Sequence, residues 1–458
     1  MWESLVRVNA VVSGVVWGPV GLALLFGTGC LLTVRTGFFQ LRYFGYWMRH
    51  TIGAIFLDRN VTAHTDDEAI SQFQSLCTAL AATIGTGNIV GVAAALVSGG
   101  PGALVWMELA ALLGLASKFA ECMLAVKYRH VRRDGTHWGG PMAVMETRLG
   151  PAGAVFGRFY ALFALLMAFA MGAMAQSGAL ADTFSAAFTL PRWRVGLVTA
   201  ALALTILLGG IRRIADISTV LVPVMALLYL GGGLAVILGN LRRLPEAVTL
   251  MLRCAVAPEA ALGGALGIVT RREALRWGVA RSVFSNEAGL GSAAITAACA
   301  DTEDPVKQGL ISMTGVFFDT MVICTVTGLA ICCSGTLGTA DGAGRPLTGA
   351  ALTLRAFETV LGPLAPWLIG VALGLFAFTS VLGCAVQAET TASYLLGPEA
   401  VRPCRVLYGL AVFVGAVIPM ATVLQLADLA NALMAFPNLV CLLLLSGEIA
   451  GECGRKER

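Results

Sequence analysis

The stretch Ala82–Gly91, ATIGTGNIVG, places two glycines and an asparagine in the middle of a long apolar run. Closely spaced glycines are typical of phosphate-binding loops, which join a strand to a helix and often carry a lysine. No strand-like segment precedes these glycines, and no such lysine follows them. We therefore predict that Gly85–Asn88 breaks a helix, and the surrounding sequence indicates what such a break can bind.

The composition indicates a membrane protein. The chain has 458 residues, of which 57% are hydrophobic and 13% charged, and its mean hydropathy is +0.80. Soluble domains are about a quarter charged. The apolar runs are uniform rather than alternating, which excludes a transmembrane barrel and predicts an all-α integral membrane fold. No basic stripe with interleaved aromatic residues occurs, so nucleic acid is not an expected partner. The cysteines form no CxxC pair and predict neither a metal site nor a disulfide framework.

Eleven apolar segments are long enough to cross the lipid bilayer, which takes about 20 residues. They lie near residues 10–34, 70–98, 102–127, 153–189, 194–211, 215–239, 272–300, 307–334, 363–396, 404–421 and 423–448. Lys and Arg are more numerous in the connections on the side of residues 35–69. This bias places the N-terminus outside and the C-terminus in the cytoplasm of a bacterial-type plasma membrane. The basic cluster at 242–276 favours the opposite orientation.

A second glycine-rich break is predicted at Ser285–Ser292, SNEAGLGS, in the seventh segment. The break at Gly85–Asn88 lies in the second segment, so corresponding positions are five segments apart. Because five is odd, the two units have opposite orientations in the membrane. Paired broken helices in inverted units are typical of secondary transporters with a binding site near the midplane. The alternative is that the glycines only allow helices to pack closely.

A helix break within a membrane persists only where it lines a cavity or holds a ligand. At the first break, freed carbonyl groups near Ala81 and Ile84 favour a cation such as Na⁺. Amide groups at the start of the following half-helix favour an anion such as a carboxylate. We therefore expect Thr86, Gly87 and Asn88 to contact a zwitterionic substrate.

The second break is expected to form the opposite wall of this site. Asn286 and Gly289 are the substrate contacts predicted there. Glu287 is an ionisable group at the same break, and its carboxylate has either a functional or a structural role. Lys118 and Glu121 lie three residues apart on one predicted helix and are expected to pair with each other.

Two further polar groups lie inside apolar segments. Thr379 and Ser380 are adjacent in the ninth segment. With the carbonyl groups of Ala81 and Ile84 they could form an oxygen site for Na⁺, or they could bond to carbonyls one turn earlier in their own helix. Gln176, in the fourth segment, either contacts substrate or forms an interhelical hydrogen bond.

Five long motifs, found between residues 73 and 447, closely resemble the alanine or glycine:cation symporter family. They are FQSLCTALAATIGTGNIVGVAAAL, GGPGALVWMELAALLGLASKFAECMLAVKYR, GGIRRIADISTVLVPVMALLY, GVARSVFSNEAGLGSAAI and ADLANALMAFPNLVCLLLLSG. The resemblance implies a leucine-transporter-like fold of ten core helices in two inverted five-helix units, with core helices 1 and 6 broken. It also implies that Ala81, Ile84, Thr379 and Ser380 hold Na⁺ between core helices 1 and 8.

The expected organisation has five parts. They are an extra N-terminal membrane helix with a cytoplasmic connection at 1–69, a first repeat at 70–239, an extracellular connection at 240–271, a second repeat at 272–448, and a cytoplasmic tail at 449–458.

The resemblance also bears on the substrate pocket. It implies that residues 86–88 hold the substrate carboxylate and that Gln176 contacts the substrate. Cys384 stands where family members usually carry an aromatic residue, and the family's GNxxQxN is GAMAQSG at 172–178. Because these changes leave the backbone-binding elements in place, we expect an α-amino acid substrate, with a side-chain preference broader or larger than alanine.

These observations favour a secondary transporter that couples Na⁺ entry to import of a small neutral amino acid of the alanine or glycine class, working as a monomer. The alternative is a proton-coupled amino-acid carrier, with Lys118, Glu121 or Glu287 as its titrating group. An intramembrane enzyme is not expected, because no histidine lies in any predicted span and neither HExxH nor GxSxG occurs.

Overall fold

The structure, a computed structural model, describes residues 18–53, 70–131, 137–256, 259–261, 268–340, 342 and 344–456. The start of the first predicted span, before residue 18, lies outside the described residues. So does the part of the predicted cytoplasmic connection at 54–69. The described chain is mostly helical, as the composition predicts.

The first half of the chain is a series of helices joined by short turns. They are α1 (Pro19–Arg35), α2 (Phe39–Arg42), α3 (Phe44–Met48), α4 (Gln72–Thr83), α5 (Val90–Gly99), α6 (Gly102–Lys127), α7 (Pro141–Met167), α8 (Gln176–Phe188), α9 (Arg192–Leu207), α10 (Gly210–Gly239) and α11 (Leu244–Val256). Two 3₁₀ turns and two π-helical stretches join or extend them. These are Thr86–Asn88, Leu241–Arg243, Arg49–Gly53 and Ala168–Ala175.

The second half repeats this pattern of long helices and short interruptions. Its α-helices are α12 (Arg271–Asn286), α13 (Ser292–Ala298), α14 (Pro305–Val316), α15 (Thr325–Ser334), α16 (Gly349–Leu361), α17 (Ala365–Leu396), α18 (Val401–Val417), α19 (Met420–Leu444) and α20 (Ser446–Lys456). A π-helical stretch, Phe317–Cys324, joins α14 to α15. Two 3₁₀ turns, Gly362–Leu364 and Pro398–Ala400, precede α17 and α18.

Two short β-hairpins lie in connections and correct the all-α expectation in this detail. Their antiparallel strands are β1 (His130–Val131) with β2 (His137–Trp138), and β3 (Glu259–Ala261) with β4 (Ile268–Thr270). The first hairpin follows α6 and the second follows α11. Their strands pair backbone groups where the chain is no longer helical.

Seven described helical stretches are long and apolar enough to cross a membrane, and the bent pair of α4 with the following half-helix makes an eighth. Each of the eleven predicted segments contains helix. However, α1 and α9 have only 17 and 16 residues, and α12 begins with the charged sequence RREALR. Length and hydropathy therefore support seven or eight spans within the described residues, and the count of eleven remains a prediction.

Close backbone contacts position the helices around the first break. At Gly383 of α17, a Cβ would lie 2.4 Å from the backbone nitrogen of Ala82 in α4. At Gly415 of α18, a Cβ would lie 2.3 Å from the Cα of Met174. Only glycine allows helices to approach this closely, as in small-residue packing in membranes. The first contact brings α17 against the end of α4, and the second packs α18 against the π-helical stretch that contains Met174.

Candidate substrate and ion site

The first break is present where the glycines predict it. Helix α4 ends at Thr83, Ile84 caps it in an extended conformation, and a 3₁₀ turn leads to the second half-helix. The two halves are bent by 61°. The backbone N–H of Gly85 donates to Asn88 Oδ1 at 3.0 Å, which closes the turn. The prediction of a helix break is therefore confirmed here.

Gly85 is the point where three elements meet. A Cβ at this position would lie 2.7 Å from Ser380 Oγ and 3.3 Å from Gln176 Nε2. Gln176 Oε1 accepts hydrogen bonds from Thr86, from its hydroxyl at 3.1 Å and from its backbone N–H at 3.4 Å. The interhelical hydrogen bond expected as one role of Gln176 is thus present, and its partner is itself a predicted substrate contact.

One of the two adjacent hydroxyl groups of α17 contacts this break as well. Ser380 Oγ donates to the carbonyl oxygen of Ile84 at 3.3 Å. Thr379 instead donates back within its own helix, to the carbonyls of Leu375 at 2.9 Å and Phe376 at 3.1 Å. A hydroxyl that donates its hydrogen keeps two lone pairs for other contacts.

The residues implied to hold Na⁺ are all buried. Ala81, Thr379 and Ser380 are 0% exposed, and Ile84 is 1% exposed. Na⁺ needs oxygen ligands in a place that water does not fill. The contact between Ser380 and Ile84 joins two of the four residues across α4 and α17.

The second break lies between α12 and α13. Glu287 has a left-handed backbone with φ of 54°, and Gly289 and Gly291 follow with φ of 86° and 78°. A left-handed conformation is unstrained for glycine and rare for other residues. The break predicted from SNEAGLG is therefore confirmed, and Glu287 is its one non-glycine residue with positive φ.

Buried polar groups occupy the backbone of the second break. The N–H groups of Gly289 and Gly291 both donate to Glu121 Oε2 at 3.1 Å. The amide nitrogen of Asn438 donates to that same oxygen at 3.1 Å and to the Gly289 carbonyl at 2.9 Å. Lys118 Nζ lies 3.7 Å from Glu121 Oε1, so the expected pair is present. In this conformation, Gly289 thus binds protein groups through both its N–H and its carbonyl.

The other predicted residues of the second break also contact the protein. Asn286 donates through its amide nitrogen to Ser282 and Thr320, and its Oδ1 accepts from the N–H of Ala288 at 2.9 Å. The Glu287 carboxylate accepts a hydrogen bond from the Ser292 hydroxyl. The partner of the Glu287 carboxylate is thus a side chain at the start of α13.

Cys384 is buried between α17 and its neighbours. Its Sγ lies 4.0 Å from the Ala82 carbonyl oxygen. A Cβ added at Gly172 would lie 2.2 Å from the Cys384 Cβ. Because Gly172 has no side chain, it allows the π-helical stretch and Cys384 of α17 to pack closely.

A family model described as the sodium:alanine symporter family matches residues 2–454. The chain belongs to the sodium:alanine symporter family. It is 41% identical over 449 residues to the sodium/alanine symporter AgcS of Methanococcus maripaludis, covering 96% of this chain and 95% of that protein. It is 36% identical over 450 residues to the probable sodium/glutamine symporter GlnT of Bacillus subtilis, covering 97% and 89%.

A solved structure matches the fold. The match to the manganese transporter of Eremococcus coleocola covers 84% of this chain and 80% of that chain. The TM-score is 0.50 and the sequence identity is 15%. At this identity the likeness concerns the fold alone. It supports a helical transporter architecture for this member of the sodium:alanine symporter family.

The sequence did not predict two residues that lie against the first break of this symporter-family protein. Phe284 packs against the first break, since a Cβ at Gly87 would lie 3.7 Å from its ring. Asp319 accepts hydrogen bonds from both Asn88 and Ser285. The only signal for Asp319 in the sequence was an acidic residue within an apolar segment, which marks a functional candidate but gives no partner.

Proposed function

We propose that this protein imports a small neutral amino acid together with Na⁺ by alternating access. The observation that carries the proposal is the meeting of Ser380, Ile84, Gln176 and Thr86 at the first helix break. These groups place carbonyl, hydroxyl and amide oxygens beside a newly started half-helix. Such a break offers a cation and a carboxylate adjacent sites.

In the proposed complex, the substrate carboxylate binds the backbone at residues 86–88. Gly87 lets the carboxylate approach the main chain. Gln176 contacts the substrate through its amide, Asn286 and Gly289 form the opposite wall, and Cys384 of α17 lines the side-chain pocket. Since Gly289 and Asn286 bind Glu121, Asn438 and Thr320 in this conformation, their contact with substrate requires a rearrangement of the second break.

The proposed Na⁺ ion binds between α4 and α17, held by Ala81, Ile84, Thr379 and Ser380. It holds the first break against α17 and so favours the conformation that binds substrate. The coupling is a linkage free energy: if Na⁺ strengthens substrate binding, substrate strengthens Na⁺ binding by the same factor. An inward Na⁺ gradient then drives accumulation of the amino acid.

The membrane arrangement is part of the same proposal. The N-terminus lies outside and the C-terminus in the cytoplasm of the plasma membrane. Two inverted five-helix repeats follow one extra helix, and the monomer is the functional unit. Apolar side chains exposed on the outer faces of α10 and α18, such as Leu227 and Leu407, support contact with lipid.

A proton-coupled carrier is the second candidate. Lys118, Glu121 and Glu287 are all buried at the second break, and a buried ionisable group in a membrane is a candidate for proton transfer. Glu121 is held by three N–H donors and Lys118, which favours a fixed charge. These contacts concern Glu121 and support the first candidate to that extent.

Binding measurements on the purified protein test the substrate class. Thermal-shift or scintillation-proximity titrations with a panel of amino acids, in NaCl and in choline chloride, should give binding that depends on Na⁺. In addition to alanine and glycine, we expect a larger neutral amino acid such as glutamine to bind. Strict selectivity for alanine and glycine would contradict the broader pocket, and binding that ignores Na⁺ would contradict the coupling.

A further inference from the structure

A cavity of about 1020 Å³ lies between α1, α6 and α12, where these three helices begin. Each helix lines it with residues among its first eight. They are Leu22 and Phe26 of α1, Trp106 of α6, and Arg272 and Arg276 of α12. A second cavity of about 530 Å³ shares Trp106 and Arg272 with the first, so the two adjoin. Ligand pockets commonly measure about 300–1,000 Å³, so the larger cavity can hold a sizeable ligand.

Close helix contacts set the shape of this cavity. At Gly278 of α12, a Cβ would lie 2.3 Å from the carbonyl oxygen of Ala103 and 2.8 Å from Trp106 Cβ. At Gly29 of α1, a Cβ would lie 2.9 Å from Leu113 Cβ, further along α6. Because α12 packs against the start of α6 and α1 packs against its middle, a groove forms between α1 and α12 beside Trp106.

The two sides of the groove differ in chemistry. Leu22, Ala23 and Phe26 give the side formed by α1 an apolar surface. Arg272 and Arg276 line the side formed by α12, and both side chains are exposed. An apolar wall that meets a cationic rim matches a ligand with a hydrocarbon part and an anionic part.

Positive charge is in excess at this rim. Among the described residues that line the two cavities, Glu273 is the single acid, against Arg271, Arg272 and Arg276. The Glu273 carboxylate accepts hydrogen bonds from the N–H and the hydroxyl of Thr270, at 3.0 and 3.1 Å, and interacts with Arg276 at longer range. No carboxylate of the side chains that the structure describes lies within 4.0 Å of the three arginines. Their guanidinium groups are therefore available to an anion.

Trp106 indicates that the cavity lies at the edge of the lipid bilayer. Tryptophan is enriched at the boundary between membrane and water. The ring N–H of Trp106 donates to the carbonyl oxygen of Ala255 at 3.1 Å, which fixes the ring against α11. Val20 of α1 and Val256 of α11 are each 69% exposed nearby. Apolar side chains exposed beside a tryptophan and arginines fit the depth at which lipid headgroups meet acyl chains.

We propose that this cavity binds an anionic phospholipid, with its headgroup phosphate on Arg272 and Arg276 and an acyl chain against Leu22 and Phe26. A guanidinium group can donate two parallel N–H bonds to phosphate oxygens. Basic pockets between membrane helices bind anionic lipid headgroups in other proteins. A free phosphate would leave the apolar wall of α1 uncovered, so the phospholipid is the better match.

This site gives a role to the basic cluster at 242–276, whose charge opposes the orientation bias of the other connections. Arginines that bind a lipid phosphate serve that purpose on either side of a membrane. The proposal is independent of the substrate, of the coupling ion and of the orientation of the chain.

Quenching of Trp106 fluorescence by brominated lipid tests the site in the full chain. Purified protein is reconstituted in phosphatidylcholine vesicles that contain either phosphatidylglycerol or phosphatidylcholine with brominated acyl chains, at equal content. The difference between wild type and Trp106→Phe isolates this tryptophan from the others. We expect the apparent affinity for phosphatidylglycerol to exceed that for phosphatidylcholine by about tenfold or more. Equal quenching of Trp106 by the two lipids would overturn the proposal.

Charge variants localise the preference to the cavity. Arg272→Gln combined with Arg276→Gln should abolish the preference for phosphatidylglycerol. The matched control is Arg242→Gln combined with Arg253→Gln, which removes the same charge from exposed arginines that line neither cavity. This control should keep the preference. If both double variants lose it equally, general surface charge causes the preference and the site is refuted.

Soluble glycerol phosphate separates a phospholipid from a free phosphate. Added to the same vesicles, it should leave the quenching by brominated phosphatidylglycerol unchanged. Displacement of the lipid by this soluble anion would assign the rim to a free phosphate and contradict the proposal.

Native mass spectrometry provides a measurement that needs no tryptophan variant. With equal amounts of the two lipids in detergent, wild type should retain phosphatidylglycerol over phosphatidylcholine, and the Arg272→Gln, Arg276→Gln variant should retain both equally. The same excess of phosphatidylglycerol on this variant would contradict the site. Melting temperatures report whether each variant folds.

Discussion

Ser380 Oγ donates a hydrogen bond to the carbonyl oxygen of Ile84 at 3.3 Å, and this contact ties α17 to the first helix break. The two residues lie 296 positions apart in the sequence. The carbonyl is free to accept because α4 ends there. The same two residues supply two of the oxygen ligands in the proposed Na⁺ site. Na⁺ binding is therefore expected to depend on the backbone conformation of the break.

Removing the two hydroxyls of α17 should weaken the response to Na⁺. For Thr379→Ala combined with Ser380→Ala, we expect the half-saturating Na⁺ concentration for uptake to rise by about tenfold or more, equal to about 1.4 kcal/mol of binding free energy. Thr391→Ala is a matched control, since Thr391 is a buried hydroxyl of the same helix that bonds to the Gln387 carbonyl at 2.7 Å. Unchanged Na⁺ dependence in the double variant would remove both residues from the site.

Adding one methyl group at Gly85 should disrupt the site. In Gly85→Ala the new Cβ would lie 2.7 Å from Ser380 Oγ and close to Gln176, so α17 or the break must shift. We expect uptake to fall by about a hundredfold, with a smaller change in melting temperature. Gly370→Ala, within α17, has no atom within 4 Å of its Cβ and should keep full uptake. Equal behaviour of the two variants would contradict the close approach at Gly85.

Glu121 and Lys118 should stabilise the second break as a unit. Glu121→Gln removes the charge that receives two glycine N–H groups and Asn438 and leaves Lys118 without its partner. Breaking a buried ion pair from one side costs about 3–5 kcal/mol. Thermal unfolding should therefore show that Lys118→Met and Glu121→Gln each destabilise the protein strongly. The loss of stability in the double variant should be smaller than the sum of the two single losses.

The control for this cycle is Glu146→Gln, because Glu146 is an exposed carboxylate bonded to Tyr394. It should change the melting temperature little. Strictly additive effects of Lys118→Met and Glu121→Gln would show that the two side chains act independently, against the geometry of the pair.

The C-terminal helix α20 should loosen at acid pH. Glu448 accepts hydrogen bonds from Lys127 at 2.6 Å and from Tyr128, and Arg148 lies 3.2 Å away. Burial raises the pKa of Glu448, but these donors outweigh it and hold the pKa below its ordinary value of 4.5. A carboxyl group whose pKa is lower in the folded state than in the unfolded state stabilises the fold at any pH above its unfolded-state pKa. This stabilisation is lost as the pH falls through its folded-state pKa.

Hydrogen exchange of α20, corrected for intrinsic rates, measures this effect. Exchange in the wild type should accelerate between pH 6 and pH 3.5, while Glu448→Gln should exchange fast at both. A pH response in the variant equal to that of wild type would assign the effect to another group.

Local sequence was enough to predict the two breaks. Glycine and asparagine have low helix propensity, and both residue types occur at Gly85–Asn88 and in SNEAGLG. Their effect acts within a few residues, so a short segment of sequence is enough to predict a helix break. The occupants of the second break were not predictable in this way. Glu121 is 168 residues and Asn438 is 149 residues from Gly289, and only tertiary packing brings them together.

The site residues show the same limit at finer scale. Thr379 and Ser380 are neighbours in sequence, yet consecutive helix residues point about 100° apart, and only Ser380 bonds to the first break in this conformation. The position of Asp319 follows from the π-helical stretch Phe317–Cys324. A wider turn shifts the register of side chains, so a helical periodicity of 3.6 could not place its carboxylate between the breaks.

Gradient-driven uptake in proteoliposomes tests the central claim most directly. Purified protein is reconstituted, and uptake of radiolabelled alanine is measured with an inward Na⁺ gradient, with an inward proton gradient and with neither. We predict accumulation above equilibrium with the Na⁺ gradient alone, abolished when choline replaces Na⁺. Accumulation driven by the proton gradient in the absence of Na⁺ would contradict Na⁺-coupled symport.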